Sequence, residues 1–168
     1  SAYLRAHYPA EFLAAVISNQ GGYYSAFAYL SEGRRMGLTM LPPDINASDW
    51  AYRGCGTTIR VGLMHLKALR EDFVQQMVAE RQAHGPYRSL QHFLDRLQPE
   101  TAQTTLLIKA GCFDSVAGEL TRPALIWRLF ADQSGKPVGY LPIPTEYSTQ
   151  QKLAHEFELF GFPLSGHP

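Results

Sequence analysis

The sequence has few cysteines, no excess of charge of either sign and no long apolar run. Its 168 residues include two cysteines, Cys55 and Cys112, which are too few for a disulfide framework or a four-thiolate zinc site. Lys and Arg together number 15 and so do Asp and Glu, so the formal net charge is 0. That balance excludes a protein that coats nucleic acid by bulk electrostatics, and any such binding must come from a local patch. The short apolar runs exclude a membrane-spanning helix.

The common signatures of catalysis and nucleotide binding are also missing. None of the 6 histidines lies three or four residues from another histidine or a cysteine, so no zinc site is expected. No Gly-rich phosphate loop and no Gly-x-Ser-x-Gly elbow occurs. Cys55, between two glycines, is predicted to be an exposed loop thiol, and Cys112 a small apolar filler. An independent enzyme with Glu or His acid–base chemistry is a third hypothesis without support from any motif, and a reducing cytoplasmic location is expected.

Apolar spacing predicts two helices followed by a small β element. Helical periodicity covers 10–18, and a second helix is predicted over 25–36. A short strand over 38–41 and a returning strand over 57–61 enclose the turn-rich stretch 44–56.

The remainder is predicted to be helical apart from one proline-rich arm. Two helix–turn–helix units are expected over 63–83 and 102–131, with a helix between them that Ser89 caps. The stretch 133–147 contains three prolines and is interpreted as a linker or a packed arm. A last helix, capped by Ser148 or Thr149, then runs to Phe160. We therefore expect a mainly α fold with a small β hairpin or two-stranded element.

Several stretches, in matching order, resemble the α subunit of bacterial DNA polymerase III, the C-family replicative polymerase. The resemblance covers essentially the whole chain and is carried by Pro9–Ala15, Arg35–Leu38, Leu41–Asn46, Val61–Leu63 with Leu66–Lys67, Ala110–Asp114 and Leu164–Pro168. The stretch Ser18–Tyr24 is closer to the shorter, error-prone-type relatives. One segment does not decide that subtype.

The resemblance implies a place within a larger enzyme. It assigns 1–61 to the end of the fingers domain, 62–131 to a tandem helix-hairpin-helix domain, and 132–168 to an arm and terminal helix that lead to an OB-fold. The palm domain, with its metal-binding aspartates and magnesium, would lie upstream. This chain contains no Asp-x-Asp pair and begins at Ser1 without Met. We therefore expect a non-catalytic piece of a DNA-directed DNA polymerase, without a cofactor of its own.

The first expected DNA contact is the turn from Lys67 to Glu71. A helix-hairpin-helix motif grips duplex DNA without reading sequence, because N–H groups at the start of its second helix face a phosphate oxygen. The resembled family usually has glycine where Ala68 and Arg70 stand. A side chain at Arg70 would resist a positive φ, which weakens this contact.

Charge near this turn supports two interpretations. The window 50–70 contains four cations and no acidic residue, a local +4 contributed by Arg53, Arg60, Lys67 and Arg70. These side chains can reach phosphate where the backbone cannot. Alternatively, Glu71 and Asp72 complement the helix dipole and repel phosphate, so that 67–72 is an ordinary capped turn.

The second expected contact is the turn Lys109–Asp114. Gly111 permits a positive φ there, and Lys109 supplies a cation. Phe113 is predicted to fill the core rather than to stack on a base. The alternative is a plain helix C-cap, with Asp114 capping the helix that follows.

The leading hypothesis is a module that binds duplex primer-template DNA through phosphates and without sequence specificity. Its expected contact residues are Arg60, Lys67, Arg70, Lys109 and Gly111. The other domains of the parent polymerase are the other expected partners, and no membrane is expected. The alternative is an interdomain or protein–protein scaffold, which neutral charge and the altered first turn favour. Arg34 and Arg35 are interpreted as solvent-facing partners of a helix dipole.

Overall fold

A computed structural model describes residues 7–19, 23–135 and 144–164. Within these ranges the chain forms seven α-helices and one short 3-10 helix. The α-helices are α1 (Pro9–Asn19), α2 (Tyr23–Arg35), α3 (Glu71–His84), α4 (Leu90–Leu97), α5 (Thr101–Lys109), α6 (Arg122–Ser134) and α7 (Thr149–Phe160), and the 3-10 helix is Asp114–Val116. No helix in the described ranges combines the length and the apolarity that a bilayer crossing requires. The mainly α prediction is confirmed.

Helix ends agree with the capping signals in the sequence. Ser89 accepts a hydrogen bond from the backbone N–H of His92 at 3.1 Å and so caps α4. Ser148 caps α7 in a reciprocal capping box with Gln151. α3 ends immediately before Gly85, as the Gly-Pro pair predicts. Local chemistry therefore sets these boundaries.

The small sheet has three strands, one more than predicted. Its order is β1 (Thr39–Leu41), β3 (Thr58–Arg60), β2 (Arg53–Cys55), with β1 parallel and β2 antiparallel to β3. β2 lies within the stretch predicted to be turns. A glycine sits at its centre because a Cβ on Gly54 would collide with the α1 backbone at Ala10. That close packing removes the side-chain pattern by which a strand is recognised.

One cluster of buried side chains runs through the molecule, from α1 to the residues after α7. At its centre the Phe93 ring makes edge contacts with three aromatic rings, at centroid distances of 6.3 Å to Phe73, 4.9 Å to Tyr87 and 5.0 Å to Phe113. The Tyr87 hydroxyl donates to the carbonyl of Met77 at 2.8 Å. The aromatic cluster fixes α3, α4 and the turn after α5 relative to one another. Phe113 is fully buried, as predicted.

The first predicted helix–turn–helix unit lacks its first helix. Residues 61–70 form successive turns, with hydrogen bonds from the Leu66 N–H to the Leu63 carbonyl at 3.1 Å and from the Leu69 N–H to the Leu66 carbonyl at 3.2 Å. Both bonds have the three-residue span of 3-10 structure. Leu63, Leu66 and Leu69 are all buried. The prediction of a helix here is wrong: two separate three-residue turns bury these leucines, and the positive φ of Ala68 interrupts any right-handed helix.

Candidate nucleic-acid interface

The backbone of the first turn, residues 67–70, places its strain at Ala68. Ala68 has φ +68°, in the left-handed region that glycine adopts at no steric cost. Arg70 has φ −90° and ψ 136°, an extended conformation open to any residue, and it is the N-cap of α3. The expectation that Arg70 would resist a positive φ is corrected, because Arg70 has a negative φ in this turn. Alanine takes over the position at which the family's first glycine is expected.

Replacing Ala68 with glycine is expected to raise the free energy of unfolding by about 0.5–1 kcal/mol, because the left-handed penalty exceeds the added entropy of the unfolded chain. Urea denaturation of the two forms measures the difference. Gly135→Ala is the matched control in the opposite direction, since Gly135 has φ +70° and open space where a Cβ would lie. Its expected loss is more than about 1 kcal/mol. A lower midpoint for Ala68→Gly would contradict the strain assignment.

Gln103 on α5 holds both sides of this turn. Its Nε2 donates to the carbonyl of Ala68 at 2.9 Å, and its Oε1 accepts from the N–H of Arg70 at 2.9 Å. The Gln103 side chain is buried, and sequence reasoning missed it. The available signal was a polar residue at a buried position of a helix, which requires polar partners.

Cations at the first turn have acidic neighbours. The Arg70 guanidinium lies 2.8 Å from a carboxylate oxygen of Glu100 and 3.3 Å from one of Asp72. The Lys67 residue is exposed, and its backbone N–H donates to the carbonyl of Leu159 at 2.7 Å. Glu71 and Asp72 occupy the first turn of α3, where carboxylates complement the helix dipole. The turn is open to solvent, but its electrostatic field is weaker than the sequence window indicates.

The other two cations of that window belong to the sheet. The Arg53 guanidinium lies 3.0 Å from the carboxylate of Asp49. The Arg60 guanidinium donates to the carbonyl of Pro42 at 2.8 Å. The local +4 is therefore reduced by carboxylates at 49, 72 and 100, which lie outside the window along the chain.

The second turn, residues 109–114, is closed by its own backbone. The Gly111 N–H donates to the carbonyl of Ile108 and the Cys112 N–H to that of Leu107, both at 3.0 Å. With Gly111 at φ +88°, these two bonds form a Schellman cap at the end of α5. Cys112 is fully buried, and burial raises the pKa of its thiol. The geometry matches the C-cap part of the alternative, but Asp114 does not cap the following helix, because Thr121 caps α6 and the Asp114 carboxylate binds Arg122. A phosphate contact by the Gly111 amide stays a prediction.

Arg122 covers the second turn from the start of α6. Its Nε and Nη2 donate to the two carboxylate oxygens of Asp114 at 3.0 and 2.7 Å, while Nη1 donates to the carbonyl of Lys109 at 3.4 Å. Burial, the largest single influence, lowers the pKa of Arg122, but the hydrogen bonds to Asp114 together with the negative charges of Asp114 and Glu146 outweigh it, and the net shift is upward. The Arg122 N–H also donates to the Glu146 carboxylate. The residues before α7 are thereby attached to this turn.

The two turns lie at opposite ends of α5. Arg70 pairs with Glu100, just before the helix, and Lys109 is the last helical residue, so about 13 Å of helix axis separates them. Lys109 is half-buried beside α7. The pKa of His155 on α7 is lowered, first by burial and second by the positive charge of Lys109. Of the predicted contact residues, the structure therefore brings Lys67 and Arg70 together in one exposed turn. Lys109 and Gly111 belong to a second, covered turn, and Arg60 to the sheet.

Arg34 has a structural role that differs from its interpretation as a solvent-facing cation. The Arg34 Nη2 donates to the carbonyl of Leu164 at 2.6 Å. The backbone N–H of Leu164 donates to the carboxylate of Glu156. The two charged side chains thus bind the carbonyl and the N–H of Leu164, which belong to the peptide units on either side of that residue. That interpretation of Arg34 is corrected, because its partner lies 130 residues away along the chain.

Both turns, with α3 and α5, lie within the match to one known family. A family model described as a helix-hairpin-helix motif matches residues 37–124, more than half of the chain. The chain therefore belongs to this helix-hairpin-helix family.

The chain is also similar over its whole length to DNA polymerase III subunit alpha, which confirms the resemblance found in the motifs. It is 33% identical to that subunit from Treponema pallidum and 32% identical to the one from Thermus aquaticus, each match covering 100% of the chain. An error-prone DNA polymerase from Mycolicibacterium paratuberculosis is 34% identical over 82% of the chain. The chain spans 16%, 15% and 13% of the lengths of these three relatives.

Proposed function

We propose that this chain is a non-catalytic, duplex-DNA-binding segment of a DNA polymerase III α-type protein, with the first turn as its main contact. The observation that carries the proposal is the exposed turn at 67–70, which lies within the helix-hairpin-helix match and presents Lys67 and Arg70 next to the N-terminus of α3. The first N–H groups of a helix and nearby cations both attract a phosphate oxygen. Such contacts position a duplex without reading its bases.

The second turn is proposed to contribute less. Lys109 offers a side chain at the end of α5, and Arg60 offers one from β3, so both are proposed as outer phosphate contacts. Gly111 is proposed to act by permitting the close approach of Arg122 rather than through its amide, which already donates within the cap. Binding should therefore concentrate on one turn.

Polymerisation is proposed for the full-length protein and not for this chain. Magnesium would require a group of carboxylates. The described residues contain no group of three His, Cys, Asp or Glu side chains that could hold a metal ion. The residues present do not fit such a site. We therefore propose that the magnesium and its aspartates belong to a palm domain outside these 168 residues, in a cytoplasmic replication enzyme.

A scaffold role is the second candidate function, and one observation favours it. α6 exposes Trp127 and Phe130, three residues apart on one face, with 42% and 52% of each residue accessible to solvent. Exposed aromatic residues at helical spacing are typical of surfaces that pack on another protein surface. The scaffold hypothesis predicts no duplex binding by the chain.

Fluorescence anisotropy with two labelled duplexes of unrelated sequence tests the proposal. Lys67→Glu is expected to weaken binding equally for both duplexes and to reduce the log–log salt slope by about 1, because one phosphate contact is lost. Arg128→Glu is the matched control, since it makes the same charge change at an exposed position of α6. Equal losses of duplex affinity in the two variants would contradict the assignment of the DNA contact to the first turn. Absence of wild-type binding at about 50 mM salt would favour the scaffold.

A further inference from the structure

Gln103 uses both halves of its side-chain amide on the first turn. One half donates to the Ala68 carbonyl and the other accepts from the Arg70 N–H, each at 2.9 Å. The residue is 7% exposed, so water does not compete effectively for these bonds. A glutamine side chain from the second helical unit thus bridges the two peptide units that flank Leu69.

The turn needs such support because its own backbone is unfavourable. Ala68 has φ +68°, which disfavours any residue with a Cβ. The Lys67 N–H is bound by the Leu159 carbonyl of α7, and the buried Leu69 side chain anchors the centre of the turn. Together with the two bonds from Gln103, these contacts fix the backbone on both sides of the strained residue. Without the Gln103 bonds, only the Lys67 bond and the buried Leu69 side chain oppose relaxation of Ala68 to a negative φ.

We infer that Gln103 is a positioning residue for DNA binding, which holds the first turn in the conformation that presents Lys67 and the start of α3 to a phosphate. The inference rests on the proposed function. The two helical units are then not independent, because Gln103 lies on α5 of the second unit and the turn that it binds belongs to the first unit. Glu100, one turn before Gln103, adds a second link through its ion pair with Arg70 at 2.8 Å.

The chemistry requires a glutamine at this position. The side chain must supply one donor and one acceptor at the same time. In Gln103→Glu, one carboxylate oxygen can still accept from Arg70, but the other would face the Ala68 carbonyl, and two acceptors repel. In Gln103→Met the volume is kept and both bonds are lost. The two variants therefore separate the loss of one bond from the loss of both.

Duplex affinity and salt dependence of these variants test the inference. Gln103→Met is expected to weaken binding about fivefold to tenfold, because the turn must then be ordered upon binding. Its salt slope is expected to stay near the wild-type value, since every cation remains. Lys67→Glu lowers the slope, so the two causes are distinguishable. Gln91→Met, which removes an exposed glutamine amide bound to Asp95, is the matched control and is expected to bind normally.

Two further measurements separate positioning from a general loss of stability. Amide hydrogen exchange at Arg70 is expected to accelerate in Gln103→Met at a temperature well below its unfolding transition, while exchange in α4 stays unchanged. Adding Ala68→Gly to Gln103→Met is expected to restore most of the affinity, because glycine adopts the positive φ without support. Wild-type affinity in Gln103→Met would overturn the inference. Absence of binding by the wild-type chain would overturn the proposed function itself, whereas unchanged exchange at Arg70 would contradict the positioning role alone.

Discussion

Replacing Phe93 with alanine is expected to lower the free energy of unfolding by about 3–5 kcal/mol, the range for deleting a buried phenylalanine ring. Phe93 is fully buried and makes edge contacts with Phe73, Tyr87 and Phe113. The side chain therefore joins α3, α4 and the second turn, and alanine would leave a cavity between them. Urea denaturation with a common m-value measures the loss.

Phe157→Ala is the control for this experiment, since Phe157 lies on α7 with 49% of its surface exposed. Its expected cost is below about 1 kcal/mol, because about half of that residue is already in water. Equal destabilisation by the two substitutions would contradict the assignment of Phe93 to the centre of the core.

Replacing Arg122 with methionine is expected to cost about 2–3 kcal/mol. The Arg122 side chain is 12% exposed and forms a two-point ion pair with Asp114. Removing one partner of a buried ion pair costs about 3–5 kcal/mol. The expected loss is smaller here because Asp114 is 50% exposed and water can solvate its carboxylate once the arginine is gone. Methionine keeps the apolar stem that covers Gly111.

A double-mutant cycle with Asp114→Asn measures the pair directly. The coupling energy between Arg122 and Asp114 is expected to be about 1–2 kcal/mol, since charge-assisted bonds with two-point geometry are stronger than single neutral ones. Arg128→Met, an exposed change on the same helix, is expected to be within about 0.5 kcal/mol of wild type. A coupling energy near zero would show that the bidentate contact does not stabilise the second turn.

The helices were predictable because their signals are local. Ser89, Ser148 and the Gly85-Pro86 pair lie within a few residues of the boundaries they set. The first helical unit was mispredicted because three leucines at a spacing of three are compatible with both an α-helix and separate three-residue turns. β2 was missed because close packing on α1 requires a glycine where a strand usually shows a β-branched residue.

The position of the first turn was predictable, its electrostatic surroundings were not, and its contact with DNA stays a prediction. The sequence located the first turn and its cations, and the helix-hairpin-helix match includes them. A window along the chain cannot count Glu100, which pairs with Arg70 only after α5 has folded against the turn. For Gln103 the helical pattern could indicate a buried polar residue but not its partners, which lie 33 and 35 residues away along the chain. Long-range contacts therefore set the local charge and the backbone support of this turn.

The claim that the first turn contacts duplex DNA is tested most directly by NMR. Amide chemical shifts of the chain are followed during titration with a duplex oligonucleotide. The largest shifts are expected for the backbone amides of Lys67, Ala68 and Glu71 and for the side-chain amide of Gln103, with smaller shifts at Lys109. Competition by added salt should reverse them, as phosphate contacts require. Shifts confined to residues 109–114, or to the exposed face of α6, would contradict the account.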